Sequence, residues 1–268
     1  MKSILSFFSK KAFLGISSAL LAVGVLTPTA ADAATFVDTE LFLSVDVSGS
    51  VNANEFNIQK QGYANAFLDA DVQNLITSSQ NGIAVALGYW SGSTQQNTAV
   101  PFTLLKTAAD ANAFSALISA TTRPFGGSTG IGAAIDYAAN ELLTNDFDGS
   151  RLVIDLSGDG TNNNGLDPIT ARDAALANGI TTINGLPIGD ASLLSYFENN
   201  VQGGANSFSI LANDFAGVDA AVKQKLFQEI SNPPTTDVPE PGILLGLIGM
   251  GATGLSLKKR NRGEEAAA

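Results

Sequence analysis

The sequence predicts an α/β domain with a mostly parallel central sheet, helices on both faces and one short antiparallel edge strand. Apolar, strand-like runs alternate with helix-like segments along the body, the order that crossover connections need to build a parallel sheet. Hydrophobic residues make up 45% of the 268 residues and charged ones 15%, so a sizeable core can be buried. Two aspartates, Asp46 and Asp159, fall where strand-like runs end. Open sheets of this kind carry their sites there, beyond the carboxyl ends of the strands.

The elements follow in order. Residues 41–47 form a first, buried strand. A helix is expected over 54–68, where Phe56, Tyr63, Ala66 and Phe67 fall at mostly helical spacing. Residues 83–90, rich in Ala and Val, are the second strand, and 98–104 a short extended piece antiparallel to it. Helices are expected over 109–118 and 131–143, and a third main strand over 152–157. Asp167-Pro168 is a strong helix start, because aspartate caps free N–H groups and proline suits the first helical position. That helix runs to about 177, where Asn178-Gly179 ends it. A strand over 180–186, a short helix over 192–198, a last strand over 207–211 and a last helix over 215–230 complete the body. No internal repeat and no second domain are visible.

The ends read differently. Lys2, Lys10 and Lys11 precede an uncharged stretch over 12–26, and Ala31-Asp32-Ala33 offers small residues for cleavage. This is the pattern of a secretory signal over 1–33, too short for the roughly 20 residues of a spanning helix. The body is then 34–231, followed by a polar linker over 232–241 that contains Pro239-Glu240-Pro241. An uncharged, glycine-rich segment begins at Gly242 and closes with the basic residues Lys258, Lys259, Arg260 and Arg262, giving a unit over 242–262 and a tail over 263–268. The tripeptide, apolar segment and basic end resemble the PEP-CTERM sorting signal of Gram-negative bacteria and cyanobacteria. That resemblance implies recognition by an exosortase, a transient inner-membrane intermediate, and release to the cell surface or an extracellular matrix.

Outside these two ends stand 7 basic against 22 acidic groups, net −15. Phosphate backbones and anionic membranes would repel such a body, which argues against nucleic acid as a partner and against lasting membrane contact. The chain has no cysteine and no histidine. These absences exclude Ser-His-Asp and Cys-His catalysis and an ordinary zinc site.

Three segments carry chemistry. In Asp46-Val47-Ser48-Gly49-Ser50 a carboxylate and two hydroxyls recur at every second residue as the first strand ends. Gly126-Gly127-Ser128-Thr129-Gly130 and Ser157-Gly158-Asp159-Gly160 offer further oxygens. Oxygen-only ligands suit a hard cation such as Mg2+, with Mn2+ or Ca2+ as alternatives. Read alone, the first segment is also what a strand-end turn looks like. The glycine-rich loop fits neither a dinucleotide fingerprint nor a P-loop. Asp155-Leu156-Ser157-Gly158-Asp159-Gly160 is only superficially similar to an EF-hand start, since the closing Glu is missing.

Taken together, Asp46-x-Ser48-x-Ser50, Thr129 within Gly127-Ser128-Thr129-Gly130-Ile131-Gly132, and Asp159-Gly160 resemble the three motifs of von Willebrand factor A (vWA) domains, in that family's order. Tyr89-Trp90-Ser91-Gly92, residues 151–163 and Ile183-Asn184-Gly185-Leu186-Pro187-Ile188 are similar to an uncharacterised bacterial branch of it. The likeness covers about 36–230 and implies a Rossmann-like vWA fold with a metal-ion-dependent adhesion site (MIDAS). There Ser48, Ser50 and Thr129 would contact the metal through hydroxyls, with Ser128 replacing Thr129 if the loop slips by one. Asp46 and Asp159 would act mostly through waters. The ion would keep a position open for a carboxylate of a partner, either a protein or an acidic matrix polymer.

Asp155 interrupts what should be a buried strand. A buried carboxylate needs a partner, and Asp155 is expected to accept from loop backbone, Arg123 or Arg172 and so support the metal loops. Tyr89 and Trp90 are expected in the core rather than at a ligand surface, with Phe125 open between the two. The function expected is metal-dependent binding at the cell surface. Its rivals are a structural matrix component whose metal only stabilises loops and, disfavoured by the lack of a histidine base, a metal-dependent hydrolase.

Overall fold

A computed structural model describes residues 33–231. Residues 1–32 of the expected signal over 1–33, the linker with Pro239-Glu240-Pro241 and the segment from 242 onward lie outside the described residues. Six strands form one sheet in the order β4-β3-β2-β6-β7-β8. Its centre is parallel: β2 (Thr39–Asp46) pairs with β3 (Ile83–Trp90) and with β6 (Leu152–Gly158), and β6 pairs with β7 (Thr182–Pro187). Both edges run antiparallel, β4 (Gln96–Leu105) against β3 and the two-residue β8 (Gly203–Gly204) against β7.

The alternation of side chains along β2 decides the two layers. Leu41, Leu43 and Val45 point to one face, where they pack with Val85, Leu87 and the helices α1 (Ala53–Ala66), α2 (Ala70–Ser78), α3 (Ala108–Ala120) and α7 (Val218–Ser231). Phe42 points to the other, with Ala86, Trp90, Ile154 and Leu156, under α4 (Ile131–Thr144), α5 (Pro168–Ala177) and α6 (Ala191–Asn200). All eight residues of β2 and of β3 are buried, as expected for strands covered on both faces. Tyr89 and Trp90 are core residues, each 1% exposed, and Phe125 packs partly buried against the first layer.

Several elements differ from the sequence reading. β4 is ten residues long. α2 was not expected, because Asp71, Gln73 and Asn74 mask a short apolar stripe of which only Val72 and Ile76 are buried. A separate two-stranded sheet of β1 (Thr35–Val37) and β5 (Phe147–Gly149) was also unforeseen. Residues 207–211 make no full strand. They touch β7 through a single bridge, Gly185 to Ser209, with another from Ile188 to Ala212. The last helix is preceded by a 3-10 turn over Phe215–Gly217.

Both ends of the described body lie at the amino edge of the sheet. Thr35 N–H donates to the Asp146 carbonyl at 2.9 Å, and Arg151, just before β6, donates from Nη1 to the Glu229 carbonyl near the end of α7 at 2.8 Å. Among the described residues no helix is long and apolar enough to cross a membrane.

Candidate functional site

Asp46 is the last residue of β2 and fully buried. Its Oδ1 accepts the Ser48 N–H at 2.7 Å, which curls the chain so that the Ser48 and Ser50 hydroxyls come within 3.2 Å of each other. Gln59 of α1 donates to the Asp46 carbonyl at 3.2 Å, and Arg123 donates from Nη2 to the carbonyls of Val47 and Ser48, each at 2.8 Å. The loop therefore has its backbone fastened from behind while its two hydroxyls meet on the other side.

The other two segments close on it. Ser50 donates to Asp159 Oδ1 at 2.6 Å, across 109 positions of sequence. Gly49 N–H donates to the Gly127 carbonyl at 2.7 Å, and a Cβ on Gly49 would stand 3.0 Å from that oxygen, so only glycine fits without a shift. Thr129 is 6% exposed and its Oγ1 lies 3.9 Å from where a Cβ on Gly160 would be. Ser128 is exposed, its carbonyl held by the Ser91 hydroxyl at 3.0 Å and its Cβ facing Gly92. The structure thus brings Asp46, Ser48, Ser50, Thr129 and Asp159 to the same end of the sheet, with Thr129 rather than Ser128 turned inward.

Sequence reasoning assigned no role to the residues that hold the threonine. α4 begins at Gly130 without a side-chain cap of its own. Its free donors are met by the loop after Asp159: Asn162 Oδ1 accepts the Ile131 N–H at 2.8 Å and Asn163 Oδ1 the Thr129 N–H at 2.9 Å. The Asn163 N–H returns a bond to the Thr129 carbonyl at 2.9 Å. The signal was the run Asn162-Asn163-Asn164, since asparagine side chains readily take the place of backbone partners. Gly132 seals this contact, because a Cβ there would sit 2.2 Å from the Leu166 carbonyl oxygen. Gly132→Ala is expected to lose about 1–3 kcal/mol in urea unfolding through overpacking against backbone.

The electrostatics are one-sided. Burial pushes the Asp46 carboxyl up to about 7; the Ser48 N–H opposes the rise and the charge of Asp159 adds to it. Asp159 is raised too, first by burial, against the Ser50 hydroxyl and with the charge of Glu55. Asp46 Oδ2 is buried with no hydrogen-bond partner. Two carboxylates, one of them with an unpartnered buried oxygen, and three hydroxyls form a donor set that fits a hard cation. Among the described residues no three His, Cys, Asp or Glu side chains cluster to hold a metal, so hydroxyls would have to do so here.

Asp155 requires a correction. It is buried in β6 as expected, but neither arginine reaches it. Its Oδ1 lies 2.9 Å from Lys225 Nζ of α7 and accepts the Tyr63 hydroxyl at 3.2 Å. Arg123 instead holds the loop after Asp46 directly, as above, and Arg172 pairs with Asp173 and the Asn199 carbonyl. Strand alternation is the reason. Asp155 belongs to the layer of α1 and α7, beneath the sheet rather than at its end.

Residues 36–234 match the family described as Protein of unknown function (DUF1194), and 237–260 match the PEP-CTERM protein-sorting motif. No curated protein matches the chain. Among solved structures it is similar to proximal thread matrix protein 1 from the mussel byssus (20% identity, TM-score 0.56, 75% of this chain and 49% of that one). The same mussel protein is also known with a zinc-occupied MIDAS motif (TM-score 0.53). It is similar to the pilus adhesin SpaC from Lactobacillus rhamnosus GG (16%, TM-score 0.54, 72% and 31%) and to a von Willebrand factor type A protein from Catenulispora acidiphila (13%, TM-score 0.51, 72% and 43%). The match spans less than half of each of these longer chains, and at such identities the likeness is one of fold.

Proposed function

Because the chain belongs to the DUF1194 family, has the vWA fold and carries a sorting motif that marks it for export to the surface, we propose that it is a non-catalytic, cation-dependent binding protein. The cation would be held by Ser48, Ser50 and Thr129 through their hydroxyls, with Asp46 and Asp159 behind them. When bound, it supplies a local positive charge with a vacant position, which a carboxylate of a partner protein or acidic matrix polymer fills. The chain outside its two ends, at net −15, would otherwise repel such a partner. The observation that supports this reading is the linkage of Ser48, Ser50 and Asp159 through their side chains at the strand end that carries the unpartnered Asp46 Oδ2. Exosortase is the partner during sorting.

The protein's own residues have defined tasks in this reading. Arg123 and Gln59 fix the backbone of the first loop. Asn162 and Asn163 hold Thr129 at the start of α4. A second reading, a matrix component whose cation merely stabilises loops, is favoured by the likeness to a thread matrix protein. It shares the site and lacks the partner.

Thermal melting separates these proposals from no cation use at all. Mg2+, Mn2+, Ca2+ or Zn2+ at a hundred times its dissociation constant should stabilise the wild type by about 2.7 kcal/mol, reversed by EDTA. Ser48→Ala and Thr129→Ala should lose that response. An unchanged melting temperature with every cation would remove the site. Capture of a carboxylate polymer or an envelope protein that persists in EDTA would leave only the loop-stabilising role.

A further inference from the structure

On the layer opposite α4, a second set of ionisable groups plays no part in the site above. Lys225 Nζ of α7 lies 2.9 Å from Asp155 Oδ1 of β6 and 2.5 Å from Glu229 Oε1, and all three side chains are 0% exposed. The Tyr63 hydroxyl of α1 donates to Asp155 Oδ1 at 3.2 Å, and Asn184 of β7 donates to Glu229 Oε1 at 2.9 Å. The Phe208 ring lies 5.9 Å from Nζ, and Arg151 holds the Glu229 carbonyl. Asp155 Oδ2 and Glu229 Oε2 are buried with no partner.

We propose that Lys225 and Asp155 become joined by an amide bond inside the folded domain, a covalent cross-link between the last helix and the centre of the sheet. The amine and the carboxyl are already in contact, aligned by tyrosine and shut away from water. Positioned groups of this kind react with effective concentrations of about 10⁵–10⁸ M. A buried ion pair repays its desolvation poorly, and here two carboxylates share one ammonium. Condensation removes one positive and one negative charge from the core and leaves a neutral amide in their place.

The step balances without an oxidant or reductant. Glu229 takes one ammonium proton and passes it to Asp155 Oδ2, the freed Nζ lone pair attacks Asp155 Cγ, the nitrogen–carbon bond forms and the Cγ–Oδ2 bond breaks. Two of the three ammonium protons leave with that oxygen as water. Glu229, whose carboxyl burial and the Asp155 charge raise to about 7, relays them and ends as it began. Oδ1 remains as the amide oxygen, still accepting from Tyr63. Glu229 is itself a carboxyl beside Lys225, but its Oε1 is taken by Asn184, and a bond to it would only close a ring within α7. The cross-link has a place in this chain. There is no cysteine for a disulfide, and α7 is the last described element before the sorting motif at 237–260, so a pull on that motif falls first on α7. It does not depend on any cation.

The test is peptide mapping of the exported, processed chain after full unfolding. The peptides containing Asp155 and Lys225 are expected to be recovered joined and lighter by one water. Glu229→Gln should keep the fold, judged by circular dichroism, and yield those peptides unjoined. Wild-type peptides recovered separately at full mass would overturn the proposal and leave a buried ion pair. A Lys225–Glu229 linkage would overturn it equally, and joined peptides in Glu229→Gln would remove the role given to Glu229.

Discussion

Asp46→Asn should make the cation-free protein more stable at pH 8, not less. The Asp46 carboxyl is fully buried and raised from 3.8 to about 7. A folded-state value above the unfolded one contributes stability that is fully present below about pH 4 and is lost as pH rises through 7. At pH 8 the charged, desolvated carboxylate costs the folded state roughly 4 kcal/mol. Asparagine keeps the acceptor for the Ser48 N–H and removes the charge, at the expense of about 1–3 kcal/mol for an amide group without a partner. A net gain of about 1–3 kcal/mol is expected in urea unfolding with EDTA at pH 8. Between pH 5 and pH 8 the difference between variant and wild type should widen by roughly 2–3 kcal/mol. Added Mg2+ should stabilise the wild type alone and narrow or reverse the order. A variant less stable than wild type at pH 8 in EDTA would mean that Asp46 is not strained by burial.

Trp90→Ala should be the most damaging change in the second layer, at about 3–5 kcal/mol. The indole is 1% exposed and donates to the Ser44 carbonyl at 3.2 Å. Its ring reaches the end of β6, where a Cβ on Gly158 would lie 3.5 Å from Cζ2, and Gly158 immediately precedes Asp159. For a domain of this size that loss lowers the melting temperature by roughly 6–20 °C. The slope of the urea transition should stay unchanged, since the folded surface is kept. A change of under about 1 kcal/mol would show that the cavity collapses or fills.

The sequence reading and the structure agree where the signal is local. Leu41, Leu43 and Val45 on one face and Phe42 on the other identify a strand buried on both sides, and the carboxylate ending it identifies the rim. Asp167-Pro168 does start a helix, with Asp167 accepting from the Thr170 N–H. The three oxygen-bearing segments could be named because each is short and self-contained. What stayed hidden depends on contacts distant in sequence. The partner of Asp155 is 70 positions away in α7, and no local pattern prefers Lys225 over Arg123 or Arg172. The fastening of Thr129 by Asn162 and Asn163 needs the loop after Asp159 to be seen beside the start of α4. α2 and the paired β1 and β5 are too short or too polar to stand out, and 207–211 has strand-like residues without a continuous neighbour.

The chain enters and leaves the domain at one pole while the hydroxyl-lined rim occupies the other. Eight residues of β2 at about 3.3 Å each set roughly 26 Å between the two. Chain continuing past residue 231 would therefore depart from the end of the domain opposite the rim.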